Sequence, residues 1–401
     1  MAFDTLFKEG KRRYLESLST HAKYLLGPLE KPKFESIRGL SPTISIEQKN
    51  ASSSPRSTVG TVTELLDRYR ILFARLGVLH CFQCKKKIES LSAAQIVEKL
   101  FAKKQLLLLA PLIENETGNH QAVFSFCKAE GFTRVRVNQE IFRLEEIPEL
   151  KPQKKHCIDL VVDRLTLHDE IRPRLTESVE TALRMGRGRL IAFDLENEKE
   201  EGYSEKNTCL DCQIDFPPLS PAAFSFNSPH GMCPECKGLG FIENPEAEPK
   251  TCATCQGTRL RQDLSQVLFH SVSLPKLSQM SLEGNLDFFQ KRKPKLSVTE
   301  KRVAQELIDE IINRLSCLVD LGLPYLTLDR LAGTLSGGEF QRIHLGSQID
   351  SELTGILYVL DEPSAGLHPR DNQMLLQLLK KLQTRGNTLV LVEHSPELMR
   401  A

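Results

Sequence analysis

Eight of the eleven cysteines lie in four C-x-x-C pairs, a spacing typical of metal coordination. Eight thiolates suffice for two zinc ions with four sulfurs each, and four sulfurs leave no open position on the metal. The sequence therefore predicts two structural zinc sites. The pairs are, in chain order, Cys81/Cys84, Cys209/Cys212, Cys233/Cys236 and Cys252/Cys255.

The way in which the four pairs combine is indicated by their flanking residues. The third and fourth pairs, in CPECKGLGF and CATCQGTRL, share a C-x-x-C-x-G pattern and are expected to form two halves of one site. The first and second pairs would then close the base of the stretch between them. The competing arrangement joins the second pair with the third. The three single cysteines, Cys127, Cys157 and Cys317, are interpreted as small buried apolar residues.

A second group of candidate residues lies in TLSGGEFQRIHLG, at residues 334–346. Ser336 and Glu339 have the S-x-x-E spacing of a capping box at the start of a helix. Gly337 and Gly338 leave the first turn without side chains, so its N–H groups and positive helix end can meet an anion such as a phosphate. The alternative interpretation is an ordinary capped helix. We assign all four residues to a nucleotide-binding set.

A third group follows a short apolar run at residues 356–360, which is typical of a buried parallel strand. The run ends on Asp361 and Glu362, in the position where α/β proteins bind ligands. Asp361 is suited to hold magnesium and Glu362 to polarise an attacking water. The alternative interpretation is a surface acidic pair.

A similar apolar run, TLVLV, ends on Glu393 and His394. The Leu-rich segment 372–385 between the two runs is predicted to be a helix that stops at Gly386. Strand, helix and strand would place both carboxyl ends at one sheet edge. We therefore interpret His394 as a catalytic partner of Glu362, although a single histidine is more often structural.

The remaining elements frame these groups. Residues 106–113 and 157–165 are predicted strands, 172–186 an amphipathic helix, and the acidic stretch 195–208 a surface loop. A helix over 296–320 would place one apolar face at Val303, Leu307, Ile311 and Leu315. From residue 331 the chain alternates helix and strand, which indicates a parallel α/β sheet.

Composition limits the class of protein. The 401 residues are 40% apolar with a net charge of +1, so attraction of the whole protein to nucleic acid is not indicated. No apolar run is long enough for a membrane span and no signal peptide is visible, so we expect a cytoplasmic chain without membrane partners. The basic runs at 11–13, 151–155 and 291–293 are expected to be solvated surface, whereas Arg56 is a candidate DNA contact.

Taken together, the C-terminal motifs resemble those of the ABC ATPase superfamily. LSGGE at 335–339 is similar to its signature motif, VLDEP at 359–363 to its Walker B strand, SAGLH at 364–368 to its D-loop, and His394 to its switch histidine. No G-x-x-x-x-G-K-[ST] motif, the P-loop that cradles phosphates, occurs in the chain.

Further segments resemble the N-terminal half of the UvrA family, ATPases of bacterial nucleotide excision repair: AFDTLFKEGKRRYLESLS, GLSPTISIEQKNASSSPRSTVGT and AAFSFNSPHGMCPECKGLGF. The resemblance implies that Gln48 is the Q-loop glutamine and that residues 81–212 dock UvrB. It also implies damaged double-stranded DNA as a partner, a homodimer or a second ATPase half, ATP with magnesium, and a place in the SOS response. Only residues 237–251 separate the third and fourth cysteine pairs, where the family has a long DNA-contacting insertion.

The expected architecture is an α/β ABC-type ATPase domain, with a parallel sheet and a helical signature subdomain, an inserted α+β domain and two four-cysteine zinc modules. The predicted divisions are 1–80, 81–212, 213–330 and 331–401. Because AFDTL follows the P-loop in the UvrA family, we expect a fragment shortened at both ends and inactive alone.

Two functions follow from these expectations. The first is a UvrA-like ATPase subunit of excision repair, and the second is a catalytically dead zinc module that docks UvrB or DNA. The cysteine pairs and the long stretch before LSGGE argue against an ABC transporter ATPase. A zinc chaperone of the J-domain type would share the knuckles but not LSGG or DEP.

Overall fold

The computed structural model describes residues 1–16, 31–46, 54–244, 247–349, 353–365, 367 and 369–400. These residues form two compact units, one of residues 1–77 with 219–401 and one of residues 78–218. The second unit begins slightly before and ends slightly after the predicted inserted domain. The further division of the first unit near residue 330 stays a prediction. No described helix combines the length and the apolar character that a membrane crossing requires.

Helices and strands alternate along most of the described chain. The helices are α1 Lys8–Glu16, α2 Val59–Val62, α3 Leu65–Leu76, α4 Ala93–Leu100, α5 Gln121–Ala129, α6 Arg172–Met185, α7 Leu274–Gln279, α8 Leu282–Arg292, α9 Val298–Asp320, α10 Gly337–Ile349, α11 Pro369–Thr384 and α12 Pro396–Arg400. The strands are β1 Thr43–Ile46, β2 Val78–Leu79, β3 Gln105–Thr117, β4 Arg134–Val137, β5 Glu140–Arg143, β6 Lys155–Thr166, β7 Arg189–Asp194, β8 Lys199–Ser204, β9 Thr208–Cys209, β10 Ile214–Asp215, β11 Phe241–Asn244, β12 Ala247–Thr251, β13 Val267–Phe269, β14 Val272–Ser273, β15 Leu357–Asp361 and β16 Thr388–Val392.

The first unit contains the predicted parallel sheet, with the strand order β1-β15-β16. Strand β15 lies in the middle and its first four residues are buried, which explains its uninterrupted apolar sequence. Helix α11 joins β15 to β16. Its leucines pack with Tyr358 and Leu360 of β15 into one core, to which α9 and α10 also contribute. The core therefore fixes the carboxyl ends of the strands relative to α10.

Helix α9 begins at the capping box that Ser297 and Glu300 form. The predicted helix is confirmed, but its predicted apolar face is partly wrong, because Val303 is 38% exposed. The buried face runs instead through Ala304, Ile308, Ile311, Leu315 and Leu318. The predicted and observed faces share Ile311 and Leu315, and they differ in the first half of the helix, where Ala304 and Ile308 are buried in place of Val303 and Leu307.

An aromatic cluster forms a second core of this unit. Tyr69 and Phe73 of α3 pack against Phe289 and Phe269, with ring centroids 5.3 and 6.3 Å apart. The buried Tyr69 hydroxyl donates to Asn285 Oδ1 at 2.9 Å, so its polar atom is satisfied within the core.

The second unit is an α+β domain with an antiparallel sheet in the order β5-β4-β6-β3-β7-β8. Helices α4 and α6 supply Ile96, Val97 and Val179 to a core with β3 and β7. A second core brings Cys127 of α5 together with β4 and β6. The predicted strands at 106–113 and 157–165 and the helix at 172–186 are confirmed.

Two predictions for this unit are wrong. The segment 195–208 contains strand β8, which pairs with β7 at the sheet edge. Residues Lys199–Glu201 of β8 are exposed. Because exposed edge strands are often charged, the amino-acid composition of β8 is like that of a loop. Cys157 is exposed rather than buried, because residues alternate between the faces of β6 and Cys157 lies on the outer one.

Candidate nucleotide and metal sites

The eight paired cysteines form two clusters. The insertion cluster is Cys81, Cys84, Cys209 and Cys212, and the knuckle cluster is Cys233, Cys236, Cys252 and Cys255. Within each cluster all four sulfurs lie within 4.8 Å of one another. This is the arrangement that the shared C-x-x-C-x-G pattern favours, and the alternative joining of the second and third pairs is wrong.

The sulfur positions fit zinc. A tetrahedral ion with Zn–S bonds of about 2.3 Å requires sulfurs about 3.8 Å apart. The distance from Cys84 Sγ to Cys209 Sγ is 3.5 Å, and the knuckle cluster has sulfur distances of 4.0 Å (Cys233 to Cys252) and 3.7 Å (Cys236 to Cys255). These distances are far longer than the roughly 2.05 Å of a disulfide bond. Both clusters therefore suit a closed tetrathiolate site.

The backbone makes the same turn at all four C-x-x-C pairs. The residue after the second cysteine of each pair has a positive φ, as seen at Lys85, Gln213, Lys237 and Gln256. The tight turn directs amide N–H groups at the sulfur of the first cysteine. Burial alone raises the pKa of Cys81, but the amides of Cys84 and Gln83 lower it to about 7. The amide of Cys255 lowers the pKa of Cys252 to about 7 in the same way. These turns thus favour the thiolate form of Cys81 and Cys252, whereas burial raises the pKa of Cys209, Cys212, Cys233 and Cys255.

The two clusters differ in their enclosure. All four knuckle cysteines are buried, whereas Cys84 and Cys212 of the insertion cluster are partly exposed. The knuckle pairs are joined by the hairpin of β11 and β12. The insertion cluster instead joins the two ends of the second unit.

Helix α10 begins at the predicted capping box. The Ser336 N–H donates to Glu339 Oε2 at 2.8 Å, and the Glu339 N–H donates to Ser336 Oγ at 3.2 Å. A Cβ at Gly338 would lie 3.1 Å from the carbonyl oxygen of Ala365. The absence of a side chain at Gly338 therefore lets Ala365 approach the start of the helix.

Glu339 is fully engaged inside the protein. Its carboxylate also accepts from the Tyr325 hydroxyl at 2.8 Å and from the Arg330 guanidinium at 3.2 and 3.3 Å. Burial raises the pKa of Glu339, but the Ser336 amide, Tyr325 and Arg330 outweigh burial and lower it. The sequence placed Glu339 both in the capping box and in the nucleotide-binding set; the structure confirms the capping box, and a part in nucleotide binding stays a prediction.

Gln341 is a residue that sequence reasoning missed. Its buried side chain donates to the Asp361 carbonyl oxygen at 2.5 Å and to the Ile46 carbonyl oxygen at 3.3 Å. One amide group thus ties α10 to the carboxyl ends of β1 and β15. The only available signal was a glutamine at a position of α10 that faces the core.

Asp361, Glu362 and His394 lie together at the carboxyl edge of the sheet, as predicted. Asp361 pairs in register with Val392, and the Glu362 N–H donates to the Val392 carbonyl oxygen at 2.8 Å. Glu362 Oε1 is 3.3 Å from His394 Nε2. Glu362 has a φ of 42°, so the chain turns sharply after the strand in a conformation that is strained for a non-glycine residue.

Glu393 has a structural role that the sequence did not reveal. Its carboxylate accepts from the Ser364 N–H at 3.0 Å and from the Ser364 hydroxyl at 2.8 Å. The amides of His394 and Ser395 also donate to it. Glu393 thus ties Ser364 to the end of β16.

Several predicted residues fall elsewhere. Gln48 lies outside the described residues, two positions beyond the end of β1. Arg56 donates to the Lys237 carbonyl oxygen at 3.1 Å, so its guanidinium has a partner within the protein. In the first basic run, Arg12 and Arg13 bind the buried Glu9 and hold its pKa at about 2.

The arrangement combines three chemical features. The start of α10 offers helix N–H groups without side chains beside them. The sheet edge offers a strand-end carboxylate, which suits a hard divalent cation. The Glu362–His394 contact offers a carboxylate and an imidazole that can share a proton with water. Together these features would suit phosphoryl transfer to water.

The chain is similar to known proteins. Residues 92–196 match the family described as the UvrA interaction domain. The chain is 39% identical to UvrABC system protein A of Aquifex aeolicus, covering 99% of this chain and 53% of the relative. It is 38% identical to that of Thermus thermophilus, covering 100% of this chain and 54% of the relative.

The chain spans about half the length of the curated relatives that it matches. The alignment with the Aquifex relative extends over 491 positions against 401 residues here, so that relative contains residues without a counterpart in this chain. The crystal structure of UvrA2 from Deinococcus radiodurans matches 100% of this chain and 48% of its own, with a TM-score of 0.53 at 23% identity. That likeness shows a shared fold.

Proposed function

We propose that this chain, which is of the UvrA type and corresponds to the N-terminal half of its relatives, is an ATPase component of nucleotide excision repair. It would contribute a signature helix and an acid–histidine edge to composite ATP sites. The observation that carries the proposal is the 3.3 Å contact between Glu362 and His394 beside Asp361. The connection of Gln341 from α10 to the same strand ends supports a single functional unit.

Each residue has a proposed role in hydrolysis. Bound ATP with magnesium would supply the phosphoryl group and neutralise its developing charge. Asp361 would hold the magnesium ion, and Glu362 would orient the attacking water and accept its proton. His394 would keep Glu362 in position and donate to the terminal phosphate. Ser336, Gly337 and Gly338 would face phosphates that a second ATPase half or a second UvrA-type chain holds.

We propose that a different polypeptide segment supplies the phosphate cradle, because no P-loop motif occurs within these 401 residues. Phosphoryl transfer depends almost entirely on positioning and charge stabilisation. We therefore propose that the chain alone does not turn over ATP.

The test extends this chain with a P-loop segment and a second ATPase half like those of full-length relatives. The extended protein should hydrolyse ATP, and Glu362→Gln should lower turnover by about 10²–10⁴-fold while ATP binding persists. Glu198→Gln, at an exposed acid of the second unit, is the matched control. An extended protein that binds DNA and UvrB but has no Glu362-dependent turnover would favour the catalytically dead module.

A second proposed activity is docking of UvrB by the second unit. The match of residues 92–196 to the UvrA interaction domain supports it. Residues 78–218 have two cores and a cysteine cluster of their own, so the unit is expected to fold separately with zinc. A folded 78–218 polypeptide that neither binds UvrB nor competes with the whole chain for it would reject docking.

The remaining partners follow from the same proposal. Damaged double-stranded DNA would be the substrate that the complete system surveys, and the short β11–β12 hairpin would reduce the contact surface of this chain. The cytoplasm suits eight paired thiols that serve as zinc ligands, since reducing compartments disfavour disulfides.

A further inference from the structure

The knuckle cluster and the start of α10 are joined by a continuous series of contacts within the first unit. We propose that the knuckle cluster positions the signature helix through Arg259, Asp329 and Arg330. This positioning role depends on the proposed function only where it would affect ATP hydrolysis. Its test uses no nucleotide, so the two proposals can fail separately.

Arg259 is the first element of this relay, and its backbone joins both halves of the cluster. Its carbonyl oxygen accepts from the Cys233 N–H at 2.8 Å, and its own N–H points to the Cys255 sulfur. Its φ is 67°, in the left-handed region that a non-glycine residue rarely adopts. Such a strained backbone conformation persists only where the surrounding contacts hold the residue in place.

The guanidinium of Arg259 faces away from solvent and toward charge. The residue is 8% exposed, and its guanidinium stacks on the Phe226 ring at 5.2 Å. Burial lowers the pKa of Arg259, and the Asp329 carboxylate and the sulfurs of Cys236 and Cys255 offset part of that effect. A zinc ion with four thiolates would carry two negative charges, and a buried charge requires a buried counter-charge. The guanidinium of Arg259 is therefore suited to balance part of the negative charge of the metal site.

Asp329 is the second element. Arg259 Nη2 lies 3.5 Å from the Asp329 carbonyl oxygen, and the Asp329 carboxylate accepts from the Thr327 hydroxyl at 2.6 Å. The Asp329 N–H donates to the Ser278 carbonyl oxygen at 3.1 Å. The position of Asp329 is thus fixed between the metal module and α7.

Arg330, the next residue, completes the relay. Its guanidinium donates to the Thr334 carbonyl oxygen at 2.9 Å and to both Glu339 oxygens at 3.2 and 3.3 Å. Its carbonyl oxygen accepts from the Val59 N–H at 2.9 Å. A shift of Arg330 would therefore move the capping box of α10.

A parallel connection strengthens the relay. Arg56 donates to the Lys237 carbonyl oxygen in the knuckle at 3.1 Å. The residues after Arg56 bond to the Arg330 segment, since the Ser57 carbonyl oxygen accepts from the Ala332 N–H at 2.8 Å. The knuckle cluster thus holds the loop before α10 from both sides.

The insertion cluster provides a natural control. Its nearby cation, Lys86, is 66% exposed and pairs with the exposed Asp211 at 2.8 Å. Substitution of Lys86 removes a charge beside sulfurs without touching the relay.

The test measures coupling in both directions on the whole 401-residue chain loaded with two zinc ions. Amide hydrogen exchange measures the local stability of the start of α10. A chelator assay measures the rate of zinc release, and the kinetic phase that is missing in Cys252→Ser identifies release from the knuckle cluster. Because the same contacts join the two regions, a change at either end of the relay should affect the other end. Arg259→Gln should therefore speed amide exchange at residues 339–343 about tenfold with zinc still bound, and Arg330→Gln should speed zinc release about tenfold although it touches no cysteine.

Two further variants exclude a general loss of structure. Arg259→Lys, which keeps the charge, should restore most of the slow exchange, and Lys86→Gln should leave both readouts unchanged. If Arg259→Gln fails to hold two ions, zinc release from Arg330→Gln decides alone. Wild-type exchange in zinc-loaded Arg259→Gln, or wild-type zinc release from Arg330→Gln, would overturn the proposal.

Discussion

The segment from the knuckle cluster to the start of α10 is closed, whereas the carboxyl edge of β15 and β16 is open. In the closed region all four cysteines are buried and the Glu339 carboxylate binds Tyr325, Arg330 and Ser336. At the open edge the side chains of His394 and Glu362 are 83% and 43% exposed and contact each other. Both regions contain many residues that could take part in chemistry. Their burial and hydrogen-bond partners therefore distinguish residues that stabilise the structure from residues that can react.

The largest effect is expected from the metal ligands. Cys252→Ser should lower the zinc content from two ions to one, because a tetrathiolate site does not tolerate the loss of a thiolate. Structural zinc contributes on the order of 10 kcal/mol of apparent binding free energy, so the first unit should unfold at a much lower temperature. Elemental analysis and thermal unfolding measure both results.

Cys157→Ser is the matched control, since Cys157 is an exposed thiol outside both clusters. It should retain two ions and the wild-type unfolding temperature. Fewer than one ion in the wild-type chain, or two ions in Cys252→Ser, would contradict the zinc assignment.

Substitution of one glutamate in each region compares how much the closed and open regions contribute to the free energy of unfolding. Glu339→Ala removes a helix cap and several hydrogen bonds to a buried carboxylate, and should lower the free energy of unfolding by about 2 kcal/mol. Glu362→Ala removes an exposed side chain and should change it by less than about 0.5 kcal/mol. Denaturant unfolding of both variants measures the difference, and equal effects would remove the distinction between closed and open regions.

Glu393 lies between these extremes. Glu393→Gln keeps the shape but removes the charge that accepts from Ser364, so we expect a loss of about 0.5–1.5 kcal/mol. Ser364→Ala should have a similar effect, and the double variant should cost less than the sum. Additive effects would show that the two side chains do not act together.

The smallest effect concerns pH. The pKa of Glu339 is lowered in the folded protein, from an ordinary value of 4.5. Its contribution to stability is therefore fully present above about pH 4.5 and lost as the pH falls through the folded pKa. The stability difference between wild type and Glu339→Ala should shrink below about pH 4.5, and a difference that grows there would contradict the sign of this shift.

The sequence predicted those features that depend on local pattern. Apolar runs located β15 and β16, and the residue after each run located the sheet edge with Asp361, Glu362 and His394. Paired cysteines with a shared x-Gly extension indicated which clusters form. Each of these signals lies within a few residues of the group that it identifies.

Features that depend on distant partners were not predicted. Glu339 satisfies the capping pattern, but only the fold brings Tyr325 and Arg330 to its carboxylate. Gln341 bonds a carbonyl oxygen that is 295 positions away along the chain. Strand β8 has a polar composition, and its pairing with β7 is what identifies it as a strand.

We propose that this chain supplies the signature helix and the acid–histidine edge of an ATP site but not its phosphate cradle. Steady-state ATP hydrolysis by the purified 401-residue chain, alone and joined to a P-loop segment and second half, tests this claim most directly. We predict no turnover above background for the chain alone and Glu362-dependent turnover for the extended protein. Steady hydrolysis by the unextended chain, lost on Glu362→Gln, would contradict the account.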